Sequence, residues 1–316
     1  MLHPIPGPAA DMLRAAGYEL IVGKAAMLSK EKIVSMLKKE RPDAVLSLLT
    51  DPIDKDVIDA FPGKIIANYA VGFNNMDVAY AASKGVVLTN TPISGYSVAE
   101  FAASLAVTLS KRIIEADRYT KKGKYKGWDP NLFVGQSLKG KKFGIVGTGH
   151  IGAEAARIMH NGFGMDILYF DVMRNPELES ECGAEFCADA DGVFAKADIV
   201  SLHVPLMKAT QHLADARRIG LMKPEAFLIN TARGPVVDEA ALIEALSNKR
   251  IAGAALDVFE FEPKVSSRLR KLPNVVLTPH IGSATKEARD DMSRMAVENI
   301  IAVLEGKKPV SPAPAN

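Results

Sequence analysis

The stretch Lys142–Asp171, KFGIVGTGHIGAEAARIMHNGFGMDILYFD, constrains this chain more than any other. An apolar run of β type meets a glycine-rich turn, a helical segment follows, and a second apolar run ends on an acid. Gly147, Gly149 and Gly152 stand in G-x-G-x-x-G spacing. The first glycine permits a tight turn, the second lets backbone approach a pyrophosphate, and the third lets the helix pack closely on the strand. The helix that starts there aims unpaired N–H groups and the positive end of its dipole at phosphates. A glycine triplet alone also occurs in tight turns of unrelated α/β proteins. Here the two strands, the helix and the terminal acid agree. Asp171 lies nineteen residues after Gly152 and can accept hydrogen bonds from an adenosine ribose. Its charge repels an extra 2′-phosphate and favours a free 2′-hydroxyl, so the stretch is an NAD site with NADH preferred over NADPH. Arg174 competes with that reading, because it could swing towards a 2′-phosphate; a solvated loop charge is the favoured alternative.

At 316 residues the chain suits two ordinary domains. Hydrophobic residues make up 48% of it, ample for sizeable cores, and the formal net charge of +2 is nearly balanced. The richest basic run, Lys121–Lys126, is short and falls at a helix end, so no nucleic-acid partner is expected. No window approaches the roughly twenty apolar residues that cross a bilayer. The first residues lack the charged-then-apolar pattern of a secretory signal. A cytoplasmic protein with no membrane partner is expected. Cys182 and Cys187 have no second ligand pair to complete a zinc site and read as incidental thiols, so no metal is expected.

The chain opens with MLHPIPGPAADML, in which Pro4, Pro6 and Pro8 lead into a helix through Ala16. So few residues precede the prolines that either the first strand is stubby or the natural start lies upstream. Strands and helices then alternate: YELIV (Tyr18–Val22), a helix Ser29–Lys39, AVLSLL, a short helix Asp54–Ala60, KIIANYA, a helix near Met76–Ser83, and VVLTN. Such alternation indicates parallel sheets. Ser94–Asp117 is expected to form one long helix, with Val98, Phe101, Leu105, Leu109 and Ile113 as its apolar stripe. A polar loop holding the single tryptophan, Trp128, follows. Beyond Asp171, further strands are read in AEFC, ADIVSLHVP, AFLINTA, AGAALDV and NVVLTPH, with a helix at Asp238–Ser247; the sheet is doubly wound, of about seven strands. Ala284–Gly306 is a second long helix whose methionines fill core. The tail KKPVSPAPAN crosses onto the first domain or frays.

Ligands of an open α/β sheet bind at the carboxyl ends of its strands. The informative residues are therefore His203 in HVP, Arg233 in TARG, Asp257–Pro263 in DVFEFEP and His280 in TPHIGSA. Reduction of a 2-keto acid needs a cation for the carboxylate, preferably a bidentate guanidinium. It needs a proton donor facing the carbonyl oxygen, a task that suits histidine. A carboxylate behind that histidine would orient the ring and stabilise the imidazolium. Arg233, Glu262 and His280 supply these three types from successive strand ends. Each alone also fits a bland role, as a surface-turn arginine, a solvated glutamate or a strand-capping histidine. Convergence is the argument.

Over nearly its whole length the sequence resembles the D-isomer-specific 2-hydroxyacid dehydrogenase family. The resemblance rests on NYAVGFNNMDV, GVVLTNTP, SVAEFAASL, LKGKKFGIVGTGHIG, SLHVPL, LMKPEAFLINTARGPVVDEAALIEAL, IAGAALDVF, EP and NVVLTPHIGSAT. It implies an α/β fold in which a Rossmann-type, doubly wound cofactor domain (94–285) is inserted in a smaller flavodoxin-like substrate or lid domain (1–93 plus 286–316). It implies Arg233, Glu262 and His280 as the catalytic set. It places Val98, Gly147, Gly149, His150, Ile151, Gly152, Asp171, His203, Val204, Pro205, Thr210, Thr231, Ala232, Arg233, Asp257, His280 and Gly282 on the cofactor, with Asp257 holding the nicotinamide amide. Val71, Gly72, Arg233, His280 and Ser283 fall on the substrate, a small 2-keto or 2-hydroxy acid, and a homodimer is implied. Trp128–Gly135 and HIGSAT bring glyoxylate and hydroxypyruvate reductases closest; pocket size depends on loops near Asp51, Asn74 and Trp128. His150 stands where the family often has arginine, which alters the phosphate contacts. Phosphoglycerate or D-lactate enzymes and NAD-binding transcriptional corepressors are the alternatives.

Overall fold

The computed structural model describes residues 1–24, 27–93 and 95–314. The chain divides into two compact units, Met1–Ser94 with Ala284–Asn316, and Gly95–Ser283. The first unit opens with α1 (Ala9–Ala15) and α2 (Lys30–Glu40). It then alternates β1 (Ala44–Leu48), α3 (Lys55–Ala60), β2 (Ile65–Tyr69), α4 (Val78–Ser83) and β3 (Val87–Thr89). Side-chain caps set the helix starts: Ser29, Asp54 and Asp77 accept from the backbone N–H groups of Lys32, Asp56 and Tyr80. The strands pair in parallel in the order β1-β2-β3, and the middle strand β2 is buried throughout, as a parallel strand covered on both faces must be.

The strand expected at Tyr18–Val22 does not form. Among the described residues, isolated backbone bonds tie that region to its neighbours: Met1 N donates to Ile21 O at 2.9 Å, Gly23 N to Met1 O at 3.0 Å, and Leu2 N to Leu46 O at 3.0 Å. Its would-be partner ends at Pro4, which has no N–H to extend a ladder. Met1–Leu2 still lies between residues 21–23 and β1. The flavodoxin-like order 2-1-3-4-5 is thus kept, with its first two strands reduced to those few bonds.

The second unit begins with α5 (Gly95–Ser110) and α6 (Ile113–Lys121). The opening stretch gives β4 (Lys142–Val146), α7 (His150–Phe163) and β5 (Asp166–Phe170). Alternation continues through α8 (Pro176–Cys182), β6 (Glu185–Phe186), α9 (Ala190–Lys196), β7 (Ile199–Leu202), α10 (Ala216–Leu221), β8 (Phe227–Asn230), α11 (Glu239–Ser247), β9 (Gly253–Leu256), α12 (Ser267–Lys271) and β10 (Val275–Leu277). The seven strands are parallel in the order β10-β9-β8-β7-β4-β5-β6, a doubly wound Rossmann-type sheet. Helices α5, α7 and α8 build the core on one face, and α9 to α12 the core on the other. Cys182 and Cys187 belong to different clusters of that core, and burial pushes both thiols up.

The single helix expected from Ser94 is two helices, and Ser94 itself lies outside the described residues. Val98, Leu105 and Leu109 are buried as the stripe requires, but α5 ends at Ser110. There the carbonyl of Ser110 accepts from Gln136 N at 2.8 Å instead of from the next helical turn. Gly135 makes room for this, since a Cβ on it would come within 2.3 Å of the same carbonyl oxygen. Arg112 takes the left-handed conformation, φ 54°, and α6 starts afresh after it.

The last helix, α13 (Lys286–Leu304), packs Met292, Ala296, Val297 and Ile300 with α1 against the first unit's sheet. The proline-rich tail then crosses to the edge of β3. Asn90 N donates to Ser311 O, Ala313 N to Leu88 O, and Ser311 Oγ to Asn90 O. The buried Asn299 organises this crossing: its amide donates to Ser311 Oγ at 2.8 Å and to Met295 O at 2.9 Å, and its oxygen accepts from Ser311 N at 2.9 Å. Among the described residues no helix is long and apolar enough to cross a membrane. Asn299→Ala strands buried polar groups, a loss of roughly 1–3 kcal/mol. Its first thermal unfolding transition is expected several degrees below that of the parent chain; an unchanged transition would show that the tail contributes nothing to the fold.

Candidate active site

The register of the second sheet brings its strand ends into one row. Val146 faces Phe170 and Leu202, Leu202 faces Asn230, and Leu256 faces both Asn230 and Leu277. The residues that follow, Asp171, Gly147, His203, Thr231, Asp257 and Thr278, therefore share one edge. Chain order reverses between β4 and β7, the place where such sheets leave a crevice.

At that reversal the three glycines do separate things. Gly147 adopts φ 94°, and a Cβ there would lie 2.8 Å from His203 O. Gly149, the N-cap of α7, faces open space and contributes no side-chain cap. Gly152 lets α7 close on the turn, since its Cβ would come within 2.0 Å of Gly147 O. His150 is exposed at the first helical position, followed by the half-buried Ile151. The His150 ring lies over Gly95, whose Cβ would meet His150 Cδ2 at 2.1 Å. This contact gives Gly95 a role that the sequence did not disclose.

Beyond the turn, an open cavity of about 410 Å³ is lined by Thr148, Gly149, Asp171, Val172, Met173, Arg174 and the start of α8. Asp171 Oδ2 accepts from Thr148 N at 2.6 Å and from Thr148 Oγ1 at 3.1 Å, and Oδ1 accepts from Val172 N at 2.7 Å. Thr148, not singled out from sequence, thus aims the carboxylate. Arg174 is engaged by Glu179. A cradle opened by absent Cβ atoms, an uncapped helix start and an acid at the end of β5 fit a dinucleotide.

His280 and Glu262 meet at the far end of the row, with His280 Nδ1 3.2 Å from Glu262 Oε2. Glu262 Oε1 accepts from Phe259 N at 2.9 Å. Burial pushes the Glu262 carboxyl up, but the hydrogen bonds from His280 and Phe259 and the charge of Arg233 outweigh it and leave it below its ordinary range. Arg233 precedes a 3-10 turn, Gly234–Val236, that presses on the Phe259 carbonyl; a Cβ on Gly234 would lie 1.8 Å from that oxygen. Nη1 of Arg233 donates to Ala232 O at 2.6 Å, and Asn230 holds the turn by accepting from Ala232 N and donating to Arg233 O. Burial lowers the Arg233 guanidinium, with Glu262 opposing the shift.

Asp257, expected on the nicotinamide amide, has most of its carboxylate committed within the protein. Oδ1 accepts from Thr278 Oγ1 at 2.6 Å and Ile281 N at 2.9 Å, and Oδ2 from Gly282 N at 2.8 Å. Its backbone carbonyl accepts from His280 N at 2.9 Å. His280 is left-handed at φ 55°, a strained conformation for a residue with a Cβ. The Asp257 clamp holds that turn. Gly282 fits against Asp257 and Val98, and the half-buried Ser283 follows it. Val204 touches the glycine turn, while Thr210 Oγ1 donates to Pro205 O at 2.5 Å and fixes the loop after β7. Thr231 Oγ1 is buried with no partner among the described residues.

Val71 and Gly72 belong to the first unit, just past β2. Asn90 Nδ2 donates to Val71 O at 2.6 Å and Asn68 Nδ2 to Gly72 O at 3.1 Å. Both carbonyls are thereby turned to asparagine amides, while neither N–H donates to a protein group among the described residues. Asn75 ties the loop after β1 to the Val71–Gly72 loop, donating to Leu48 O at 3.1 Å and to Asp51 O at 2.9 Å. Trp128 is 84% exposed in the second unit.

His203 N donates to Val146 O, its Nε2 lies 2.8 Å from Ser201 Oγ, and burial pushes its imidazole down to about 4 from the usual 6.5. The unfolded chain therefore binds a proton between about pH 6.5 and 4 that the folded chain refuses. Stability from this group is complete above 6.5 and is lost as pH falls through that window, by up to a few kcal/mol. In His203→Gln the decline of unfolding temperature across that window should be shallower than in the parent; parallel declines would refute it.

Residues 103–282 match the family model described as D-isomer specific 2-hydroxyacid dehydrogenase, NAD binding domain. A glyoxylate reductase of Thermococcus litoralis is 47% identical over 281 residues, 87% of this chain and 84% of its own. A glyoxylate reductase of Thermofilum pendens is 44% identical over 96% of this chain and 91% of its own. A crystal structure of a Thermus thermophilus protein superimposes with a TM-score of 0.93 at 36% identity, covering 99% of this chain and 98% of that one. With its two-domain Rossmann-type fold and a domain for a nicotinamide cofactor, the chain belongs to the D-isomer specific 2-hydroxyacid dehydrogenase family of oxidoreductases.

Proposed function

We propose that this protein reduces a small 2-keto acid, of the glyoxylate or hydroxypyruvate type, to the D-2-hydroxy acid with NADH. The observation that carries the proposal is the His280–Glu262 contact at 3.2 Å on the same sheet edge as the glycine turn. The names of the two archaeal relatives support the substrate class. The glycine turn would hold the pyrophosphate of the dinucleotide, and the reduced nicotinamide would supply the hydride for the keto carbon. His280 gives its proton to the carbonyl oxygen as charge develops there. Glu262 holds the ring and stabilises the imidazolium before transfer. Arg233 receives the substrate carboxylate as a fork. The N–H groups of Val71 and Gly72 suit an anionic group, and both residues, with Ser283, are assigned to substrate. Residues 95–283 constitute the cofactor domain in this proposal, and the first unit the substrate domain.

Asp171 and the engaged Arg174 support NADH over NADPH. Asp257 keeps one unused lone-pair direction for the nicotinamide amide. Thr231 and Ala232 at the end of β8, His203–Pro205 and Thr210 line the cofactor.

Spectrophotometry with glyoxylate, hydroxypyruvate, pyruvate and bulkier keto acids should show rapid NADH oxidation with the small acids. Silence with every acid and either dinucleotide would reject the enzyme reading. His280→Ala is expected to lose about 10²–10⁴-fold in kcat with NAD affinity nearly intact. Arg233→Lys is expected to raise KM steeply, because an ammonium cannot reproduce the guanidinium fork. Strong residual turnover in the first variant, or an unchanged KM in the second, would remove the assigned role. We also propose a homodimer built on the cofactor domain, supported by exposed Ile113, Tyr125, Trp128 and Val134 along α6 and the following loop. Sedimentation at the monomer mass across micromolar concentrations would refute it.

A further inference from the structure

Arg174 is three residues past Asp171 and lines the same cavity, the position from which a guanidinium could take a 2′-phosphate. It is held elsewhere. Its Nε donates to Glu179 Oε1 at 3.0 Å and its Nη2 to Glu179 Oε2 at 2.8 Å, a bidentate pair. Its guanidinium carbon also lies 5.3 Å from the centre of the Phe186 ring. Glu179 is anchored in turn, because it accepts from the hydroxyl of Tyr169, a side chain buried in β5. That hydroxyl accepts from Asn175 N at 2.9 Å, and Asn175 both caps α8 through Leu178 N and donates to Thr148 O. Thr148 is the residue that aims Asp171. The pair thus belongs to one hydrogen-bonded chain that runs from the glycine turn to α8. An isolated exposed ion pair contributes little. Here a fork, an aromatic face and a rooted carboxylate restrain the same guanidinium.

We propose that Glu179 sets dinucleotide selectivity by withholding Arg174 from the ribose edge, so that a 2′-phosphate meets the charge of Asp171 with no cation to offset it. The proposal rests on the NADH reading above. Asp171 disfavours the phosphate directly; Glu179 engages the one cation among the residues that line the cavity. Freed of its carboxylate, Arg174 keeps a rigid set of donors that matches a phosphate bidentately. Glu179→Gln is nearly isosteric and still accepts from Tyr169, but it loses the ionic fork.

Calorimetric titration with NAD⁺ and NADP⁺ tests this without turnover. The parent should bind NAD⁺ more tightly. Glu179→Gln should tighten NADP⁺ on the order of tenfold, the gain of one charge-assisted contact, with NAD⁺ changed by less than about twofold. Glu179→Asp, which keeps the charge but withdraws it by one methylene, should move NADP⁺ affinity in the same direction by less. In Glu179→Gln/Arg174→Ala the gain should vanish. A parent that prefers NADP⁺ overturns the NADH reading and the proposal with it. A parent that prefers NAD⁺, with NADP⁺ affinity unmoved in both Glu179 variants, overturns the role of Glu179 alone. A gain that survives loss of Arg174 overturns the withholding mechanism, since the carboxylate's own field would then suffice.

Discussion

Where β4 and β7 lie side by side, Val146 faces Leu202, and the windings on either side run away from each other. Crossovers leave in opposite directions from that point, which is where an open α/β sheet leaves a crevice at its carboxyl edge. A parallel ladder also fixes side-chain direction, because a slip of one residue would turn every chain to the other face. With five of the sheet's six ladders aligned at their carboxyl ends, the residues that end those strands are committed to the same edge. That single alignment puts the glycine turn, Asp171, His203, Asp257 and the His280 turn together, though they lie as far apart in sequence as Gly147 and His280.

Close packing at the reversal explains why the edge tolerates so little side chain. Gly147 is pressed against the His203 carbonyl, and Gly152 against the Gly147 carbonyl. Gly234 does the same against Phe259. At each place backbone meets backbone, so the following residues are positioned by covalent geometry and not by flexible contacts. Asp257 extends that logic to His280. A left-handed histidine costs conformational energy, and three donors converging on one buried carboxylate offset it.

Much of this was legible from the residues. G-x-G-x-x-G spacing, apolar runs of strand length and polar strand endings were enough to locate the sheet edge, because each is a local signal with a local cause. The failures were non-local. Ser110 carries no helix-breaking chemistry; α5 stops there because Gln136, distant in sequence, takes its carbonyl. Tyr18–Val22 has strand composition but lacks a partner long enough to make a ladder. Thr148, Asn230 and Thr278 carry no signal in the sequence for the same reason. Their hydroxyls and amides act on neighbours that only the folded register supplies.

The catalytic candidates divide by their surroundings in a way that matches their chemistry. His280 and Glu262 are about one-third exposed, so their contact contributes little to stability, in keeping with the orienting role proposed for it. Arg233 is the opposite case. Burial lowers its guanidinium, and the carboxylate of Glu262 only partly offsets that penalty. A cation kept in such surroundings gains most from a partner that arrives with its own negative charge and leaves again. Under the proposed function a substrate carboxylate is such a partner, so the burial that opposes the charge of Arg233 adds to substrate affinity.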